Sequence, residues 1–197
     1  MSLKRFILAS ASPRRSELLR KLEIDFEVYP PTDAEAPPKP DELPELYAQR
    51  MALDKALWVQ KRFADQPVWI IAADTIVVLD QEVLGKPQSP EQAAQMLNRL
   101  SGRQHLVYTG FALVHKHKDI EHIEVCTTKV WFRKLSPTLI NRYIDSGEPM
   151  DKAGAYGIQG RGAILVERVD GCYFNVVGLP ISRLIAALEQ YEAEIWP

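Results

Sequence analysis

Residues 7–19 read ILASASPRRSELL, an apolar run of strand character that stops at Ser10 and Ser12 and passes into a helical pattern. Ser12 suits an N-cap, Pro13 the first helical position where no N–H is needed, and Leu18, Leu19 and Leu22 form an apolar stripe at helical spacing. Arg14 and Arg15 therefore fall in the first turn of a helix. That end already carries about half a positive charge and unsatisfied N–H donors, so two cations there ask for something negative to offset them. A strand–turn–helix with free amides, two hydroxyls and two guanidinium groups is a ready phosphate site, although it lacks the glycines of a P-loop or dinucleotide fingerprint. Taken alone, the pair is equally well two solvated arginines on an exposed turn.

Outward from this unit, FEVYP predicts a second strand, followed by the Pro-rich loop 30–44 and a long helix at about 45–63. VWIIAADTIVVL, residues 68–79, is expected to be a buried strand interrupted by Asp74, set between Pro67 and an Asp80–Gln81 turn. Ser89, Pro90 and Gln92 form a capping box for a helix to about 101, stopped at Gly102, and Ser136–Pro137 with Gly147 repeats the pattern for 137–146. Between them lie two long strands joined by a polar hairpin near 116–119. The glycine-rich stretch DKAGAYGIQGRG then leads to a strand, an Asp170–Gly171 hairpin turn, another strand and a C-terminal helix at about 180–194. Hairpins mixed with strand–helix units imply an α/β fold with a mixed sheet flanked by helices, not a purely parallel one.

The 197 residues, 46% of them apolar, suffice for one domain with a substantial core and room for two lobes. A net charge of −2 offers no large basic face for sequence-independent nucleic-acid binding, so any polyanion must be held locally. No secretory pattern precedes residue 6, no apolar run approaches the ~20 residues of a membrane helix, and Cys126 and Cys172 have no partner motif. A cytoplasmic protein without a membrane segment is the expectation.

Asp74 stands out because an ionised carboxylate inside an apolar strand is costly unless it is paired, binds metal or faces a cleft. Its plain alternative is an aspartate that merely ends the strand. Glu35, with Asp33 close by in the Pro-rich loop, would with Asp74 suit Mg²⁺ or Mn²⁺ through oxygen ligands. Lys55 shares a helix face with Ala48, Ala52 and Val59, so its ammonium must snorkel or enter a pocket. Lys86, between Gly85 and Pro87, is a positioned phosphate contact or an ordinary turn lysine. Gln159, central in the glycine-rich loop, has an amide that both donates and accepts. His115, His117 and His122 flank the polar hairpin, where alternating histidines normally face solvent and do not bind zinc.

SASPRR at 10–15, AADTIV at 72–77, GKP at 85–87 and DKAGAYGIQG at 151–160, in this order and spacing, resemble the Maf-like nucleoside triphosphate pyrophosphatases across essentially the whole chain. The resemblance implies a single α/β domain similar to the inosine triphosphate pyrophosphatase architecture, with an elongated mixed sheet and two lobes around a cleft. It also implies hydrolysis between the α- and β-phosphates with a divalent cation, Mg²⁺ or Mn²⁺. By its matching positions Asp74 is the catalytic proton acceptor; Ser10, Arg14, Arg15, Lys55 and Lys86 bind the polyphosphate, and Glu35, or Asp33 if the loop alignment slips, joins Asp74 at the metal. Base specificity falls on Arg14, Thr75 and Gln159. A glutamine amide can meet the N3–H and a carbonyl of uracil or thymine, whereas a glutamate would suit the two donors of a guanine edge. With glutamine at 159 the chain resembles the dTTP and UTP branch, and the resemblance implies a house-cleaning activity that also removes modified pyrimidine nucleotides. Other or modified nucleotides such as 7-methyl-GTP are the alternative substrates, and a non-catalytic nucleotide-binding regulator of septum formation is the alternative role. No stable nucleic-acid binding is expected. The resemblance and the general frequency of twofold oligomers admit a homodimer, with the 105–133 hairpin as one face for it.

Overall fold

The computed structural model describes residues 5–32 and 36–193, so the expectations for Asp33 and Glu35 lie outside the described residues. In chain order the elements are β1 (Arg5–Leu8), α1 (Pro13–Lys21), β2 (Phe26–Val28), α2 (Pro44–Gln60), β3 (Val68–Leu79), β4 (Glu82–Leu84), α3 (Pro90–Leu100), β5 (Gln104–His115), β6 (Ile120–Phe132), α4 (Pro137–Ile144), β7 (Val166–Asp170), α5 (Tyr173–Val177) and α6 (Ile181–Gln190). The sheet is mixed, as expected. Its order is β2-β1-β3-β5-β6-β7, with β4 added to β3. β1 runs parallel to both β2 and β3, while β3–β4 and β6–β7 are antiparallel.

One compact unit comprises Met1–Asp74, Thr109–Cys126 and Gly178–Pro197. Phe6, Ile7 and Leu8 of β1 are all buried, the signature of a parallel strand covered on both faces. α2 lays Ala52, Ala56 and Val59 against Ile7 and Ala9, against Val68, Ile70 and Ala72, and against Ala112 and Val114. The strand residues in this cluster recur at every second position and the helix residues at three or four, so one face of the sheet meets one stripe of the helix. The approach is close. A Cβ on Gly110 would lie 2.7 Å from the backbone N of Gln49 and nearer still to the Ala48 carbonyl. At the other end of the helix's approach loop, Arg50 grips both Glu42 oxygens at 2.6 and 2.7 Å, and this hydrogen bonding holds the Glu42 carboxyl down to about 2.

The other unit comprises Thr75–Tyr108 and Thr127–Val177. Its core joins Val77, Leu79 and Leu84 to Leu97 and Leu100 of α3, Phe132 of β6, Ile140 and Tyr143 of α4, and Tyr156 of the glycine-rich loop. Both Ser–Pro helix starts form, with Ser89 Oγ accepting from Gln92 N at 3.2 Å and Ser136 Oγ from Leu139 N at 3.3 Å, but the Gln92 side chain accepts from Gln88 N at 2.6 Å and so does not close the expected box on Ser89. Asp80 and Gln81 both take positive φ, the tight turn that joins β3 to β4.

β3 runs as expected from Val68 to Leu79 with Asp74 inside it, so the aspartate does not end the strand. One expectation is corrected. The residues after Asp170–Gly171 form the short helix α5 and not a second hairpin strand. The Asp170–Gly171 turn suggested a hairpin, but buried Asn175 donates to Val107 O at 3.0 Å and Thr128 Oγ1 at 2.9 Å, pinning a helical turn against β5 and β6. Tertiary hydrogen bonding outweighs local propensity here. Among the described residues no helix is long and apolar enough to cross a membrane.

Candidate active site

The β1–α1 turn is organised by Ser10 and not by the expected cap. Ser12 occupies the N-cap position but makes no side-chain cap bond; its N–H donates instead to Ser10 Oγ at 3.2 Å. Arg15 donates through Nη1 to the same Oγ at 3.0 Å and through Nε to Gly178 O at 2.8 Å. Both bonds to Ser10 fill acceptor lone pairs, which leaves its O–H as a donor for another group. The two arginines therefore differ. Arg15 is 8% exposed and braces the turn, whereas Arg14 is half-buried at the first turn of α1. The helical period carries the signal for this, since Arg15 lies three and four residues before the buried Leu18 and Leu19.

Asp74 meets Lys55 in the same unit, where Lys55 Nζ donates to Asp74 Oδ1 at 2.6 Å. The geometry follows from the packing already described. Val68, Ile70 and Ala72 face α2, and the period of two turns Asp74 to that same face. Lys55 belongs to the buried stripe of α2 with Ala48, Ala52, Ala56 and Val59. The side chains are 10% and 17% exposed, so the pair is largely removed from water yet reachable. β1 ends beside β3 with Leu8 opposite Ile71 and with Ala9 N donating to Ile71 O at 2.8 Å. Ser10 thus leaves the sheet two residues after that pair and Asp74 sits three residues after it on the neighbouring strand. The carboxylate is a hard oxygen donor, and the Lys55 bond engages only Oδ1. Among the described residues no three His, Cys, Asp or Glu side chains converge. This donor set fits Mg²⁺, which commonly rests on one or two carboxylates plus substrate phosphates and retained waters.

In the other unit Lys86 is exposed on the LGKP turn, and Gly154 N donates to Gly85 O at 3.0 Å, tying that turn to the glycine-rich loop. Gln159 is half-buried in the loop, and Thr75, next in chain to Asp74, is half-buried in β3. Glu148, which the motif reading passed over, accepts from Tyr143 Oη, Arg161 N and Gly162 N, each at 3.0 Å. A carboxylate whose partners are mostly backbone amides leaves no spacing pattern to read. The hairpin histidines form no metal site among the described residues. His115 is buried against Trp69, contrary to the solvated expectation, and His122 bonds Glu124 at 2.8 Å.

A model of the family described as Maf-like protein matches residues 5–191. The chain belongs to the Maf-like proteins. It is 47% identical over 189 residues to a dTTP/UTP pyrophosphatase of Clostridium perfringens, covering 96% of this chain and 98% of that protein. It is 50% identical over 181 residues to a dTTP/UTP pyrophosphatase of Syntrophomonas wolfei, covering 92% and 94%. Among solved structures, the HAM1 protein of Coxiella burnetii superposes with a TM-score of 0.54 at 16% identity, covering 95% of this Maf-like chain and all of its own. The Staphylococcus aureus Ham1 protein gives 0.53 at 14%, with the same coverage. At such identities these two structures speak for the α/β fold alone.

Proposed function

We propose that this Maf-like protein hydrolyses nucleoside triphosphates between the α- and β-phosphates, with dTTP and UTP preferred. The Lys55–Asp74 pair carries the reading. A largely buried carboxylate gains from one good partner but seldom repays its desolvation by stability alone, so its presence in an apolar strand points to chemistry. The two relatives named dTTP/UTP pyrophosphatase, matched over nearly their whole length, support the same activity.

In this mechanism Asp74 accepts a proton from a water whose oxygen attacks the α-phosphorus. The α–β anhydride bond breaks, its electron pair leaves with the β-phosphate oxygen, and the products are the nucleoside monophosphate and pyrophosphate. Phosphoryl chemistry of this kind is mostly positioning and charge stabilisation. Lys55 donates to Asp74 and brings its positive charge beside the polyphosphate. The Ser10 hydroxyl donates to a phosphate oxygen, Arg14 and Lys86 neutralise the chain, and Arg15 holds the turn that presents Ser10. A divalent cation, Mg²⁺ or Mn²⁺, would rest on Asp74 and on Glu35 or Asp33, supplying further charge neutralisation to the polyphosphate. Gln159, with Arg14 and Thr75, reads the base.

The test is pyrophosphate release from the common NTPs and dNTPs and 7-methyl-GTP, with an Asp74→Asn control. Turnover strongest with dTTP and UTP, falling about 10²–10⁴-fold in the control, is expected for a lost general base. Turnover that survives the substitution removes Asp74 from the mechanism. Turnover strongest with 7-methyl-GTP would reassign the substrate.

A further inference from the structure

The residue that selects the base stands on a loop, and loops are the least precise place to hold a reading group. Something must fix the segment around Gln159. Its two flanks end on one side chain. On the N-terminal side Gly157 N donates to Tyr143 Oη at 3.1 Å, and that hydroxyl donates to Glu148 Oε1 at 3.0 Å. On the C-terminal side Arg161 N and Gly162 N donate to the two oxygens of the same carboxylate, each at 3.0 Å. Glu148 thus brackets residues 157–162, with Gln159 inside the bracket.

The bracket is tight. A Cβ on Gly160 would lie 3.0 Å from Glu148 Oε2, and one on Gly162 would lie 2.7 Å from Tyr143 Oη and closer still to Gly157 O. Gly160 and Gly162 are therefore required by the close approach of the loop backbone to Glu148 and Tyr143, not by flexibility. Glu148 is itself held, for its N–H donates to Ser146 Oγ at 3.3 Å just after Gly147 turns the chain with φ 73°. Burial raises the Tyr143 phenol above its usual range, which keeps it protonated and able to donate to the carboxylate. The chemistry calls for an acid here. Three donors converge on two oxygens, a demand that a carboxylate meets and that a glutamine, with one oxygen and an NH₂ group, answers with donor facing donor.

We propose that Glu148 is a positioning residue for base selection, acting through the backbone bracket that fixes Gln159. The inference rests on the proposed reading of Gln159 as the group that meets the base. Its test compares kcat and KM for UTP, dTTP, CTP and GTP in the wild type, Glu148→Gln, Tyr143→Phe and Gln159→Ala. Hydrogen exchange of the 157–162 amides is followed in the same proteins. Glu148→Gln should shrink the UTP-over-GTP ratio of kcat/KM about tenfold, chiefly through KM for UTP and dTTP, because a hydrogen-bond reader loses discrimination once misplaced. Faster exchange at 157–162 should accompany it. Tyr143→Phe should do the same more weakly, and it serves if Glu148→Gln does not fold. A Gln159→Ala enzyme that loses the preference while Glu148→Gln and Tyr143→Phe keep it overturns the positioning role alone. A uniform fall in kcat for every nucleotide would also overturn it, as the mark of a purely structural residue. If Gln159→Ala retains the wild-type preference, the reading of Gln159 and the inference fall together.

Discussion

Replacing Gly110 by alanine should disable the proposed site without touching any residue in it. The added Cβ would meet the backbone of α2 at Gln49 N, 2.7 Å away, and at the still nearer carbonyl of Ala48, where ordinary contact begins at 3.4 Å. Neither obstacle is a flexible side chain, so the helix must withdraw from β5 by something on the order of 1 Å, enough to cost about 10²-fold in rate when it misplaces a reacting group. α2 carries Lys55, and its 2.6 Å bond to Asp74 depends on that approach. Overpacking costs about 1–3 kcal/mol, and backbone obstruction belongs at the upper end. The smaller entropy of the unfolded alanine chain returns about 0.4–1 kcal/mol, leaving a net loss of roughly 2 kcal/mol. Urea unfolding measures the stability, and pyrophosphate release at saturating UTP measures kcat. Gly85→Ala is the stability control, because a Cβ there meets nothing within 4 Å, and it should stay within about 0.5 kcal/mol of wild type. A Gly110→Ala protein that loses stability but keeps kcat would refute the idea that the helix–strand approach sets Lys55 on Asp74.

Lys55→Gln should leave Asp74 in place but lower kcat by about 10²-fold, with the loss equal across nucleotides; a loss confined to one base would contradict a phosphate role. Gln159→Glu should erode the preference for dTTP and UTP, seen as a falling ratio of kcat/KM for UTP over GTP, and unchanged selectivity would refute the amide's part. Burial holds His105 neutral and pushes its pKa down to about 4, whereas in the unfolded chain it titrates near 6.5. The unfolded state therefore binds more protons between those values, so stability falls with pH from about 6.5 to 4, by roughly 3 kcal/mol in all, and a His105→Phe variant measured by urea unfolding should lose that slope. Asn175→Ala should cost about 1–3 kcal/mol, because Val107 O loses the donor that anchors α5. Wild-type urea stability in this variant would show that the helix needs no such anchor.

Legibility in the sequence follows how far apart the deciding residues lie. Ser–Pro starts at 89–90 and 136–137, the Asp80–Gln81 turn and the strand–turn–helix at 7–19 are decided within a few residues, and each formed where it was read. α5 was misread because its conformation is set by Val107 and Thr128, far away in sequence. The site divides along the same line. Lys55 and Asp74 were each visible as a charge in an apolar pattern, and their pairing was implicit in the periods of α2 and β3. Arg15 was read as an equal of Arg14, although its distance from Leu18 and Leu19 marked it for burial. Glu148 had no such mark, since two of its three donors are backbone amides, which every residue but proline offers.

On the proposed reading, two kinds of placement serve two tasks. Lys55 and Asp74 come from a helix and a strand whose side-chain directions repeat every 3.6 and every 2 residues, so their meeting needs only a small-residue seam such as Ala48 against Gly110. Such placement is rigid but unforgiving: slipping β3 by one residue would turn Asp74 to the opposite face of the sheet. Gln159 has no periodic element to aim it. Its place depends on the carboxylate of Glu148, the phenol of Tyr143 and glycines small enough to let the backbone reach them. Charge stabilisation of a polyphosphate is the same for every nucleotide and can be built into the core. In the proposed reading base choice rests on the Gln159 amide, and the bracket fixes that residue's backbone while leaving its side chain to meet the base.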